Sequence, residues 1–172
     1  MRNATLTDTS SLAAISIEVW LGTYLRQGVS GFFADYALSE FTAQKFATML
    51  NDPLQTVIVS ENRDGIDGFA RISWGQKAPI AGCSDVEIAT IYVQPRHHGR
   101  NIGKTLLHEV LRLCAVQQAP HPWLTTNSEN TGAIAFYQKN GFTIVGQTHF
   151  RIQDQGYLNE VLVYKPMPIA HA

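Results

Sequence analysis

The chain has 172 residues, 45% of them hydrophobic and 16% charged, with a formal net charge of −1. This length and composition fit one folded domain with a substantial core and exclude a disordered chain. The near-neutral charge gives no electrostatic footprint for nucleic acid, and no apolar run reaches the ~18 residues a bilayer span requires.

Residues 2–5 read as a short first strand. Thr7 or Asp8 can cap a helix whose apolar positions Leu12, Ile15 and Val19 recur at helical spacing, with Trp20, Leu21, Tyr24 and Leu25 continuing the face. Gly28 and Gly31 interrupt the pattern. A second helix is expected over about 39–50, with Phe41, Phe46, Met49 and Leu50 inward. Residues 56–60 form a strand, 61–65 a hairpin turn and 67–74 the returning strand. After a loop over 76–84, residues 85–93 carry apolar side chains on both faces, as in a central strand buried on both sides. Leu106, Leu107, Val110, Leu113 and Cys114 make one stripe of the next helix. Residues 123–126 are a short strand. A helix then starts at Asn130 or Thr131 and stops at Asn140-Gly141. Strands over 142–151 and 157–164 close the domain, turning at Asp154-Gln155-Gly156, and 166–172 is a tail. Strands interleaved with helices indicate a mixed α/β fold. Two cysteines, Cys83 and Cys114, make no disulfide framework. Without a long apolar leader, a cytoplasmic setting is expected.

The central strand runs into Pro95-Arg96-His97-His98-Gly99-Arg100-Asn101-Ile102-Gly103-Lys104-Thr105, a loop with two glycines and three cations before a helix. Glycine permits close backbone approach, and a helix N-terminus presents unpaired N–H groups and a positive dipole end. This is chemistry for phosphate oxygens. A P-loop would need glycine at 98, where the chain has His98, and a G-x-G-x-x-G fingerprint is absent. His97 and His98 lack zinc-like companions, so no metal site is expected and a surface place in the loop is preferred for both.

The segment Arg96-x-x-Gly99-x-Asn101 resembles the coenzyme A pyrophosphate loop of the GNAT N-acetyltransferase superfamily. Asn101 stands where that family has a small residue, and Asn tolerates the left-handed backbone. The later block from Trp123 through Asn130, Ala133-Ile134 and Tyr137 to Gly141-Phe142 is similar to the family's second cofactor segment. The resemblance implies a single acetyltransferase domain over 1–165. Its fold would be a six- or seven-stranded mixed sheet flanked by about four helices, splayed centrally for the cofactor. It implies an acetyl-CoA-dependent N-acetyltransferase that moves acetyl directly to a primary amine of a small molecule. A peptide N-terminal acceptor and a non-catalytic acyl-CoA-binding module are the alternatives, and a homodimer stays open.

The resemblance also assigns residues. Gly99, Arg100, Asn101, Ile102, Gly103, Lys104 and Thr105 would hold the cofactor. A backbone N–H of Tyr92 or Val93 would polarise the thioester oxygen. Tyr137 is either the general acid or a core tyrosine. Glu87 is either the base or a carboxylate paired with Arg71, with Asp85 in reserve. Asn130 caps its helix, bonds the cofactor, or both. Trp20, Tyr24, Phe32 and Phe33 line the acceptor pocket or pack the core.

Overall fold

The computed structural model describes residues 1–25 and 27–165; the expected tail over 166–172 lies outside them. Seven strands and, among the described residues, five α-helices follow one another: β1 (Arg2–Asn3), α1 (Thr9–Tyr24), α2 (Gly31–Glu40), α3 (Ala43–Leu50), β2 (Gln55–Asn62), β3 (Gly65–Trp74), β4 (Val86–Val93), α4 (Ile102–Val116), β5 (Trp123–Asn127), α5 (Thr131–Lys139), β6 (Phe142–Ile152) and β7 (Gln155–Tyr164). The strand order is β1-β2-β3-β4-β5-β7-β6. Two compact units divide the described residues, one within 1–73 and 88–112, the other within 74–87 and 113–165.

In the first unit β1, β2 and β3 run antiparallel, Arg2 opposite Val59 and Gln55 opposite Ser73. Leu12, Ala13 and Ile15 of α1 and Phe46 of α3 pack on Val57, Val59 and Phe69, with Val19, Phe41, Met49, Leu50 and Tyr92 at the margin. The helical periodicity had placed Leu12, Ile15, Val19, Phe41, Phe46, Met49 and Leu50 on inward faces. Leu106, Leu107 and Val110 of α4 are fully buried.

The expected helix over 39–50 is in fact two. α2 begins at Gly31, where the glycines had suggested an interruption, and ends at Glu40. Thr42 then starts α3, its hydroxyl accepting from the Lys45 N–H at 3.2 Å. That hydroxyl satisfies an amide an α-helix leaves unpaired at its start. β4 is also more open than expected. Val86 and Ile88 are buried, but Ala89 through Val93 are only half-buried.

Asp8 precedes α1 without capping it. Its carboxylate takes both ends of the Arg2 guanidinium, at 2.7 and 3.0 Å, and the Thr5 N–H at 2.7 Å. The Arg2 guanidinium, followed by the Thr5 bonds, holds the Asp8 carboxyl below the ordinary carboxylate range. A carboxyl depressed in the folded state stabilises above its unfolded pKa of ~3.9 and loses that contribution as pH falls through the folded value. Arg2 is partly exposed, so solvent screening keeps the pair's contribution at neutral pH modest. Asp8→Asn is expected to lower Tm by about 3–6 °C at pH 7. Below about pH 3 the difference narrows, which thermal melts across pH 2.5–7 would reveal.

In the second unit β7 is inserted between β5 and β6. Trp123 lies opposite Val163, and Phe142 opposite Tyr164. The β6–β7 hairpin turns at Gln153-Asp154, one residue earlier than expected, because Gln153 adopts the left-handed conformation (φ 50°) and Ile152 pairs with Gln155. Trp123, Val161 and Val163 form a small core with Ala78, Ile80, Cys83 and Val145. The Trp123 indole donates to the Gln76 carbonyl at 3.2 Å. β5 runs parallel to β4, with Glu87 opposite Trp123.

Candidate active site

The loop that leaves β4 is shaped for an anion. After Val93 the chain makes a 3-10 turn over Pro95–His97. Gly99 then takes φ 80° and Asn101 φ 62°, so the asparagine sits in the left-handed region its side chain was expected to tolerate. α4 starts at the next residue. The first amides of a helix have no partner within it, and left-handed residues beside such amides are a feature of backbone anion sites. No heavy atom lies within 4 Å of where a Gly99 Cβ would stand, so the backbone is approachable there. Arg100 and Lys104 are exposed, and among the described residues neither makes an ion pair. Thr105 differs: both its N–H (2.9 Å) and its hydroxyl (3.0 Å) donate to the Asn101 carbonyl. Its donors fix the loop rather than face a ligand.

Arg96 is also committed. Its guanidinium lies 3.6 Å from Glu18 of α1, and the other Glu18 oxygen accepts from the Gln94 side chain at 3.0 Å. Sequence reasoning missed Glu18, since nothing in local spacing links it to a loop 76 residues away. His98 is exposed and its Nε2 meets the Val93 carbonyl at 3.0 Å. His97 departs from the surface placement expected of it: it is half-buried, its Nδ1 enclosed without a hydrogen-bond partner. Tyr92 is half-buried, its ring edge-on to Phe69 at 5.7 Å.

α1 and α2 carry an aromatic cluster centred on Trp20, which is only 4% exposed. Tyr24 lies 4.7 Å away between ring centres, Tyr36 4.9 Å, Phe33 5.8 Å and Phe41 6.1 Å, with Phe32 5.3 Å from Phe33. Trp20 is thus a core residue behind half-buried neighbours. Tyr36 was not singled out, although Phe32, Phe33 and Tyr36 are neighbours at helical spacing. Burial, then the nearby Glu40 and Tyr24, pushes the Tyr36 phenol up to about 12, so it stays a hydrogen-bond donor.

In the second unit Asn130 caps α5, its Oδ1 accepting from the Ala133 N–H at 3.1 Å. Tyr137, on α5, packs against Phe136 and Phe142 at 5.2 and 5.5 Å. Burial drives its phenol above the ordinary value. The residue as a whole is half-buried. Glu87 is half-buried and Asp85 exposed at the start of β4. Among the described residues no group of three or more His, Cys, Asp or Glu is arranged to hold a metal, and no helix is long and apolar enough to cross a membrane.

Comparison with known proteins bears on this arrangement. The Acetyltransferase (GNAT) family pattern matches residues 21–142. An uncharacterised N-acetyltransferase of Mycobacterium tuberculosis is 29% identical over 147 residues, covering 86% of this chain and 90% of that protein. A spermidine N(1)-acetyltransferase of Thermoplasma acidophilum is 24% identical over 151 residues, 84% of this chain and 88% of its own. Among solved structures, the PaiA N-acetyltransferase of Thermoplasma acidophilum in complex with coenzyme A superposes with a TM-score of 0.72 at 19% identity, over 92% of this chain and 95% of that one.

Proposed function

Because the chain belongs to the GNAT acetyltransferase family and is an acetyl-CoA-dependent N-acetyltransferase, we propose that it transfers acetyl directly to a primary amine of a small molecule. The observation that carries the direct route is the state of the thiols. Cys114 is buried, and burial pushes its thiol up to about 11; a thiol kept protonated is a poor nucleophile. Cys83 packs into the apolar cluster around Trp123. Neither is poised to carry an acetyl group, so the amine itself is the nucleophile.

Acetyl-CoA, when bound, supplies an acetyl group activated as a thioester, with the coenzyme A thiol as leaving group. The left-handed turns at Gly99 and Asn101 and the open backbone before α4 fit its diphosphate. Backbone amides from Gly99 to Lys104, through Ile102 and Gly103, hold those oxygens, and the Arg100 and Lys104 side chains add charge. Thr105 keeps Asn101 in place. The N–H of Tyr92 or Val93 donates to the thioester oxygen as negative charge develops there. Asn130, with its Oδ1 engaged in the cap, has its Nδ2 hydrogens to offer the cofactor.

Tyr137 delivers a proton to the departing sulfur. Its raised pKa makes donation to a thiolate in water more uphill than for an ordinary phenol. A site screened from water would also raise the pKa of the leaving thiol, which would narrow the gap. Glu87 receives the amine's proton. It lies five residues before Tyr92 along β4, about 16 Å of extended strand, so the proton reaches it through water.

The acceptor is placed against Tyr24, Phe32 and Phe33, backed by Trp20. Aromatic faces attract an ammonium group, and the similarity to a spermidine acetyltransferase supports an amine of that size. A thiol-release assay with spermidine, a small aromatic amine and a lysine peptide tests this. Turnover of a small amine at least ~10-fold above the peptide is expected; the reverse ranking would sink the small-molecule reading.

A further inference from the structure

We infer that Gly68 of β3 is a positioning residue that seats both the loop end of β4 and the start of α4. Its backbone conformation is an ordinary one that any residue adopts, so conformational freedom is not why it is glycine. Space is. A Cβ at this position would stand 2.8 Å from the Tyr92 carbonyl oxygen, 3.2 Å from Val93 Cγ2 and 3.3 Å from Ile102 Cγ2. Side-chain methyls can yield by a few tenths of an ångström. A backbone oxygen at 2.8 Å yields only if the strand moves. One residue earlier, the Asp67 carbonyl accepts from the Gln94 N–H at 3.0 Å, holding the chain just past β4 against the same stretch of β3. Elsewhere in this unit, Cβ atoms at Gly22, Gly28, Gly31 and Gly65 would meet nothing within 4 Å.

The three atoms behind Gly68 belong to the two parts of the cofactor site that must keep a fixed spacing. Tyr92 and Val93 carry the amides assigned to the thioester oxygen. Ile102 is the first residue of the helix whose amides are assigned to the diphosphate. A single close approach of β3 therefore sets both, and a misplacement on the ångström scale at such a site is expensive in rate. This inference rests on the assignments proposed above for Tyr92, Val93 and Ile102.

Gly68→Ala tests it, with calorimetric Kd for coenzyme A and kcat measured on protein shown folded by circular dichroism. A Kd raised about 10-fold and a kcat lowered about 10-fold are expected. Adding Ile102→Ala, which removes the Cγ2 methyl in contact but leaves the Tyr92 carbonyl collision, should restore Kd toward wild type without restoring kcat. Gly146→Ala is the control for simple crowding: its Cβ would stand nearest the Ile80 side chain, at 2.8 Å, and it should leave Kd unchanged. If Gly68→Ala does not fold, Ile102→Ala alone carries the test, and a several-fold rise in Kd is expected from it. Wild-type Kd and kcat in Gly68→Ala, or wild-type Kd in Ile102→Ala alone, would overturn the seat. A raised Kd with unchanged kcat would keep the seat for α4 and remove the thioester oxygen from Tyr92 and Val93.

Discussion

Tyr137→Phe is expected to lower kcat by about two orders of magnitude, the lower end of what a positioned proton donor contributes, while the Kd for acetyl-CoA stays within about twofold. The substitution keeps the ring between Phe136 and Phe142. It removes a hydroxyl that makes no hydrogen bond among the described residues, so little stability is lost with it. The pH dependence follows from the direction of the shift. The phenol's pKa is raised, so its donating form persists past the ordinary value of ~10, and kcat should show no alkaline fall from this group up to that pH. Stopped-flow or steady-state thiol release across pH 6–10, with calorimetry beside it, checks both statements. Unchanged kcat would return Tyr137 to the core.

Gly99→Val is expected to raise the Kd for acetyl-CoA by ~10- to 100-fold. Two effects add. The φ of 80° is left-handed, which costs an L-residue roughly 1–2 kcal/mol and a β-branched one more. The new side chain would also stand in space that is open now, on the face where the diphosphate is proposed to bind. Gly99→Ala carries the strain with little of the bulk, so it should fall between wild type and Val. Gly82→Val, at φ 84° with equally open space but in the loop before β4, should reproduce the strain and spare the Kd. If Gly99→Val binds acetyl-CoA like wild type, the diphosphate lies elsewhere.

What could be read before folding was considered is what local chemistry determines. The β4–loop–α4 segment announced itself because apolar alternation, proline, glycine and helical periodicity all act within a few residues of one another. Asn101 in the left-handed region and Asn130 as a cap were legible for the same reason. The break between α2 and α3 was not, since Phe41 and Thr42 interrupt an apolar rhythm that continues on both sides. Nor was the β6–β7 turn, where Gln153 rather than a glycine takes the positive φ. Glu18 and Gly68 were out of reach altogether: each acts on the loop from a distant part of the chain, and only the fold brings them there. The burial of Trp20 likewise depends on the helix that follows it.

The two ends of the sheet have a consequence for how copies of this chain meet. An unpaired strand is a template onto which another chain can add. Here β1, at one margin, is two residues long, too short to template a ladder. β6, at the other, slips register between Ile144 and Gly146 and turns Gln147, His149 and Arg151 to solvent. A register slip and outward polar side chains are what keep a long margin from zipping to its neighbour. Among the described residues neither margin therefore offers a long flat template, and strand-to-strand association of copies is expected to be disfavoured.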